Sequence, residues 1–261
     1  MLLVIDAGNT TTVVGVFDRE KLRAHWRLSS ILRTSDEWGI YIRSLLESAG
    51  LGGGSRIDSA VLSSVVPQLD LPIREAVRAY FGVECLMVSA FIDTGIEIRY
   101  SAPREIGADR IVNAAAGKAK YGAPVIVADY GTAITLDVVA PDGAYIGGVI
   151  APGLVTSVQA LFGKTAKVPQ VGLELPPGVI GRNTTESVQS GVLYGAAGMT
   201  DSLVTRVRQE IGAPSATVVA TGGHAALMAS ISKTIDHVDP WLTLDGMRLI
   251  HERNKRPCPS K

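Results

Sequence analysis

Two aspartates stand at the entrance of turns with the same grammar. Asp6 closes the apolar run Leu2–Ile5 and opens Ala7-Gly8-Asn9-Thr10, and the alternating run Val13–Phe17 follows. Nearly half a chain later Asp129 closes Val125–Ala128 and opens Tyr130-Gly131-Thr132, ahead of the apolar run that ends Asp137-Val138-Val139. An acid, a glycine two positions on, and then amide or hydroxyl side chains can together do phosphate chemistry. Glycine lets backbone approach a ligand closely. The following amides can point at an anion, Asn9 and Thr10 can donate to its oxygens, and Asp6 can hold magnesium through water. One such turn could equally be a hairpin whose Asp and Asn only satisfy turn geometry. Two in matching context suggest a duplicated domain with a phosphate turn in each half.

Two further short motifs carry chemically useful groups. Gly107-Ala108-Asp109-Arg110 opens a helical stretch, and Thr221-Gly222-Gly223 lies after a strand and before a helix. Asp109 could cap its helix and Arg110 could make a surface ion pair, or Arg110 could offer its planar fork to an anion. No Gly-x-x-x-x-Gly-Lys-Ser/Thr loop is present, so phosphate binding would have to come from other turns. The four histidines show no ligand spacing, which argues against zinc.

The elements that must carry these groups follow from periodicity. Both Asp-x-Gly copies read as three sequential strands, the first continuing through Lys21–Leu28 and the second through Ile150. Thr34-Ser35-Asp36-Glu37 is a capping box opening a helix with Trp38, Ile42, Leu45, Leu46 and Ala49 on one face. Gly50–Gly54 reads as a flexible loop, Ala60–Val66 as a strand ending at Pro67, Leu71–Phe81 as a helix and Glu84–Val88 as a buried strand. Helices are expected from about Gly107 to Lys120, over Gly153–Phe162, over Thr184–Ile211 and over Leu244–Glu252. Ala216–Ala220 reads as a strand, and Lys164–Arg182 as an irregular loop. Gly191, Gly195 and Gly198 are spaced for close packing, read as ordinary helix packing with a subunit contact as the lesser option. Strands followed by alternating helices and strands suit a layered α/β domain.

Composition narrows the partners. Lysine plus arginine equals aspartate plus glutamate at 25 each, so no global basic field points to nucleic acid or an anionic membrane. No run reaches membrane-spanning length, and Asp6 interrupts the first apolar run too early for a signal peptide. Cys85 and Cys258 are too few for a disulfide framework, so reduced thiols in a cytoplasmic protein are expected.

With Asp6-x-Gly8-Asn9-Thr10, Gly107-x-Asp109-Arg110, Asp129-x-Gly131-Thr132 and Thr221-Gly222-Gly223 in this order, the chain resembles the type III pantothenate kinase family nearly end to end. Ser63-Ser64-Val65-Val66-Pro67, Gly147-Gly148-Val149-Ile150-Ala151-Pro152-Gly153 and Asp239-Pro240-Trp241-Leu242-Thr243-Leu244 agree with it. The resemblance implies membership of the acetate kinase, sugar kinase, heat-shock chaperone and actin superfamily. It implies an α/β fold of duplicated ribonuclease H-like, actin-like ATPase domains with mixed sheets flanked by helices and an active-site cleft between them. The halves would be residues 1–117 and 118–254, with 255–261 a flexible tail.

The implied reaction moves the ATP γ-phosphate onto the terminal hydroxyl of pantothenate, the first step toward coenzyme A. The resemblance gives Asp109 the role of general base. It places ATP on Asp6, Ala7, Gly8, Asn9, Thr10, Thr11, Thr12 and Val13, with Thr132, Gly222 and Gly223 from the second half. It places pantothenate on Tyr100, Gly107, Ala108, Asp109, Arg110 and Thr184. Tyr100 could otherwise be a plain loop aromatic, and Thr184 a helix N-cap. Asp129 would hold a monovalent cation, potassium or ammonium, and Asp6 magnesium. A homodimer is implied, with Thr184 acting from the partner chain. Ile134 replaces a threonine common in the family, which could weaken phosphate or cation binding, and His224 stands where an apolar residue is expected. The alternatives are a catalytically silent accessory member that helps transcription, and a kinase or polyphosphate hydrolase with another acceptor.

Overall fold

The computed structural model describes residues 1–52, 56–162 and 171–255. The glycine loop at 50–54, the irregular loop at 164–182 and the tail at 255–261 therefore lie partly outside the described residues. Leu2–Ala7 (β1), Thr11–Asp18 (β2) and Lys21–Ser29 (β3) form an antiparallel meander. Ser35–Ser48 (α1) follows, opened by the expected capping box: Glu37 N donates to Thr34 Oγ1, and Thr34 N donates back to Glu37 Oε2. Ser59–Ser64 (β4) and Cys85–Met87 (β5) lie parallel to β1 on its other side, giving the sheet order β3-β2-β1-β4-β5. Between them runs Pro67–Phe81 (α2). It starts four residues earlier than its periodicity suggests because Pro67, read as a strand stop, is the first helical residue, where its missing N–H costs nothing.

The second sheet repeats the first. Val125–Tyr130 (β7), Ala133–Val139 (β8) and Ala144–Pro152 (β9) form the meander, and Thr217–Thr221 (β10) and His237–Val238 (β11) add in parallel. The order β9-β8-β7-β10-β11 matches the first sheet strand for strand, and the register slips at the same place, between Val16 and Phe17 in β2 and between Val138 and Val139 in β8. This sheet has one extra edge strand, Glu97–Ile98 (β6), paired parallel to β9. Its helices are Leu154–Phe162 (α4), Thr184–Glu210 (α5) and Ala225–Ala229 (α6). The fold is thus α/β with two mixed sheets of one topology, a duplicated ribonuclease H-like pair.

Each sheet has its own core: Leu3, Ile5, Trp38, Ile42, Leu62 and Ile73 are central to the first, and Ile126, Tyr130, Leu136, Leu193, Val218 and Met228 to the second. Two compact units result. One takes Met1–Ile96, Ser101–Ala116 and the stretch beginning at Leu242; the other takes Glu97–Tyr100 and Gly117–Trp241. Ala108–Tyr121 (α3) starts in the first and ends in the second. Leu242–Asn254 (α7), which sequence order places with the second half, belongs to the first unit, where Leu244 Cδ1 lies against Gly15 of β2 and Gly246 against Val112 and Ala116 of α3.

Candidate active site

In the first Asp-x-Gly turn β1 runs out at Ala7, and Gly8 N donates to Thr11 O at 3.2 Å, closing the loop. Asp6 sits at the end of β1, register-paired with Ser63 of β4, whose hydroxyl donates to Asp6 Oδ1 at 2.9 Å. This contact fixes the carboxylate. Asn9 and Thr10 are exposed at the tip, Gly8, Thr11 and Val13 are half-buried, and Ala7 is buried. Thr12 is also buried, its hydroxyl 2.8 Å from Ser30 Oγ, so what it presents at the turn is its backbone.

In the second turn Gly131 N donates to Ala133 O at 3.0 Å, leaving Thr132 exposed. Thr132 O accepts from Gly153 N at 3.1 Å and from Thr156 Oγ1 at 2.7 Å. Thr221 pairs with Asp129 across β10 and β7. Gly222 follows at φ +91°, a conformation that favours glycine, and a Cβ there would fall 2.4 Å from Asp129 Oδ1. The structure therefore brings Gly222 and Asp129 together, while Gly223 is exposed beside them. His224 heads α6, and its N–H donates to Tyr130 O at 3.4 Å, tying this turn to the end of β7. Ile134 points into the core with Tyr130 and Leu136, so a threonine hydroxyl in its place would face the interior.

The Gly107-Ala108-Asp109-Arg110 motif opens α3. Asp109 lies in its first turn, its Oδ1 accepting from Arg110 N at 2.8 Å. A Cβ on Gly107 would come within 2.5 Å of that same oxygen, so glycine makes the room the carboxylate occupies. Burial raises the Asp109 pKa, and the Arg110 N–H and charge only partly oppose it. The result is a carboxylate more basic than an exposed one, suited to take a proton. Ala108 and Arg110 are buried, Arg110 at 7% exposure.

Tyr100 ends the short segment that joins the second sheet and lies against Gly147, with its ring 6.3 Å from that of Tyr145. It is a docked side chain, not a free loop aromatic. Thr184 does not cap its helix either: Asn183 does, accepting from Glu186 N at 2.9 Å. Exposed Thr184 instead lines a groove of about 1000 Å³ with Leu161, Arg182, Gly191, Gly195 and Met199. The packing expected of Gly191, Gly195 and Gly198 is overturned here. All three are exposed, and a Cβ on any of them would have no neighbour within 4 Å among the described residues.

Motif reading passed over Ser63, Thr156 and Gly153 as individual contributors. Ser63 could have been found from its place late in the strand parallel to β1, level with Asp6. For Thr156, four residues beyond the end of β9, no local signal exists. Among the described residues no cluster of three or more His, Cys, Asp or Glu side chains could hold a metal on its own. Single carboxylates at Asp6 and Asp129 fit ions that take their remaining ligands from water, carbonyls and substrate phosphates.

The sequence profile of the type III pantothenate kinase family matches residues 2–206. The type III pantothenate kinase of Anaeromyxobacter sp. (strain Fw109-5) is 48% identical over 257 residues, 98% of this chain and 100% of that protein. That of Geobacter sulfurreducens is 48% identical over 256 residues, again 98% and 100%. Among solved structures, a Campylobacter jejuni protein assigned to the Baf family of transcriptional activators superposes with a TM-score of 0.63 at 16% identity, covering 97% of this chain and 98% of that one. A ROK family glucokinase from Streptomyces griseus superposes with a TM-score of 0.53 at 14% identity, covering 95% and 98%. At such identities these structures speak for the fold alone. The family profile over residues 2–206 and the relatives aligned over their whole length place the chain in the type III pantothenate kinase family.

Proposed function

We propose that this chain phosphorylates pantothenate with ATP, giving 4′-phosphopantothenate and ADP, with Asp109 as the general base. The observation that carries the residue assignment is the Asp109 carboxylate itself. It is held at the start of α3 in space made by Gly107, and burial makes it more basic. Asp109 takes the proton of the terminal hydroxyl as that oxygen bonds to the γ-phosphorus and the bond from that phosphorus to the β,γ-bridging oxygen breaks. Arg110 presents the fork for the substrate carboxylate. Tyr100, Gly107, Ala108 and Thr184 complete the acceptor contacts.

In the first unit residues 6–13 cradle ATP phosphate, mainly through the amides after Gly8 and through Asn9, Thr10 and Thr11. In the second unit Thr132 contributes to phosphate, and Gly222 and Gly223 let backbone approach adenosine. Asp6 would hold magnesium through water, and Asp129 a potassium or ammonium ion. When bound, these cations neutralise charge on the transferring phosphoryl group. The enzyme works as a homodimer in the cytoplasm. Support for the dimer is the glycine face of α5, which meets no neighbour among the described residues, beside the groove that carries Thr184. No helix among the described residues is long and apolar enough to cross a membrane.

The test is ADP production by the purified protein with ATP, magnesium and potassium, with and without pantothenate. Turnover that requires pantothenate is the expected result. Hydrolysis indifferent to pantothenate would remove the acceptor assignment, and no turnover would leave an accessory role.

A further inference from the structure

We propose that β9 and the residue just past it form a two-ended template, with Gly147 seating Tyr100 at one end and Gly153 with Thr156 holding the Thr132 turn at the other. These are positioning residues, and the proposal rests on the acceptor role of Tyr100 and the phosphate role of Thr132 given above. It assigns work to the stretch Gly147–Gly153, which the reaction otherwise leaves unused.

At the first end, the segment Glu97–Tyr100 is fixed on β9 before Tyr100 is reached. Glu97 and Ile98 pair with Ala144 and Tyr145, and Arg99 N donates to Tyr145 O at 2.8 Å. The Arg99 guanidinium grips Glu97 at 2.7 Å and Asp142 at 2.5 Å. The Tyr100 ring then lies on Gly147, with Cε2 and Cδ2 at 3.3 and 3.4 Å from where a Cβ would stand. Gly147 has φ +119°, so a side chain there is both strained and in the way. Behind the ring, Tyr145 is itself immobilised, its hydroxyl donating to the fully buried Asp137 at 3.1 Å.

At the second end the constraint is steric. A Cβ on Gly153 would sit 2.3 Å from Thr132 O and 2.5 Å from Gly131 O, closer than real contacts allow. Only a glycine lets α4 start directly against the turn. From there the Gly153 N–H and the Thr156 hydroxyl converge on Thr132 O and fix its peptide plane. Any side chain at 153 must push the turn outward and carry Thr132 with it.

The consequence is a separation of kinetic effects. Gly147→Ala should raise the pantothenate KM several-fold and leave the ATP KM unchanged, since the strain at φ +119° and the few tenths of an ångström the ring must yield both fall on the Tyr100 side. Gly153→Ala should do the reverse. Thr156→Val removes one donor without a clash, so it tests the same end where Gly153→Ala fails to fold; it should raise the ATP KM several-fold, and Thr156→Ser should restore it. The experiment measures initial rates with each substrate varied, and adds Gly147→Ala to a Tyr100→Ala background. If Gly147 acts through Tyr100, the double variant should match Tyr100→Ala. Both KM values moving together in every variant, or a full Gly147→Ala effect without the Tyr100 ring, would overturn the proposal. An unchanged pantothenate KM in Tyr100→Ala alone would instead refute the acceptor role of Tyr100, and that end of the template with it.

Discussion

Asp109→Asn separates chemistry from architecture. Asparagine has the same shape, so it fits the space left by Gly107, and its Oδ1 can keep the 2.8 Å bond from Arg110 N. What disappears is a negative charge in the first turn of α3, worth about 0.3–1 kcal/mol toward the helix dipole. What is recovered is the burial cost of that charge, the leading cause of its raised pKa. A carboxyl whose folded pKa lies above its unfolded value adds stability below the unfolded value, 3.8 here, and loses it as pH rises through the folded one. At pH 7 ionised Asp109 is therefore a net cost, and the asparagine variant should melt no lower than wild type. That advantage should fade as the pH drops toward 4. The rate should fall by about 10²–10⁴, the usual contribution of a general base. Coupled ADP release at saturating substrates measures the rate, thermal melts at pH 7 and 4 measure stability, and nucleotide titration measures ATP affinity. In wild type the acid limb of kcat/KM should lie above the range of an ordinary carboxylate. A variant within about ten-fold of wild-type rate, or one that melts far lower and loses ATP, would refute the reasoning.

Arg110→Lys should raise the pantothenate KM with little change in kcat, because a point charge replaces a planar fork; steady-state rates decide it. Asp129→Ala should abolish any rate difference between potassium and sodium buffers, read directly from activity in each salt. Gly195→Leu, which adds bulk to the open face of α5, should yield monomer by sedimentation if that face is the dimer contact. Asp201→Ala should cost about 2–3 kcal/mol in denaturant melts without altering either KM. Asp201 accepts from Ser232 Oγ, Lys233 N and both the N–H and hydroxyl of Thr234. Burial pushes its pKa up, but these hydrogen bonds outweigh it and the net shift is downward. Its stabilisation is thus present above the unfolded pKa and lost as pH falls through the lower, folded one.

The duplicated hairpins were legible because each has a strict period and a turn signature, and both meanders emerged with matching registers. Thr34 and Glu37 announced α1 because a capping box is a local device. What sequence could not supply were contacts made by register. Glu97–Ile98 is too short to carry a period, and only its pairing with β9 makes it a strand. Nothing in α7 says which sheet it covers, since an amphipathic stripe fits any apolar face. The glycines of α5 show the limit most plainly. Small residues at helical spacing mean that something can approach, and the sequence does not say whether that partner is in the same chain.

The site was legible in its motifs and hidden in their supports, and the supports separate the roles of the two turns. Asp6 and Asp129 occupy equivalent places, each level with a residue of the strand parallel to its own, Ser63 and Thr221. In the first copy the neighbour donates a hydroxyl at 2.9 Å to one carboxylate oxygen. That pins the group at the turn, and a carboxylate so held suits magnesium, which dehydrates reluctantly and is bound largely through its own water shell. In the second copy the space beside Asp129 Oδ1 is bounded by Gly222, whose missing side chain leaves backbone close to the carboxylate. A carboxylate with room beside it and no side chain crowding it suits a larger, weakly hydrated ion. The proposed division of labour between a divalent and a monovalent cation is supported by two different neighbours, Ser63 on β4 beside Asp6 and Gly222, one residue past β10, beside Asp129. Altering each neighbour separately is the test: Gly222→Ser should impair the potassium response, and Ser63→Gly the magnesium dependence.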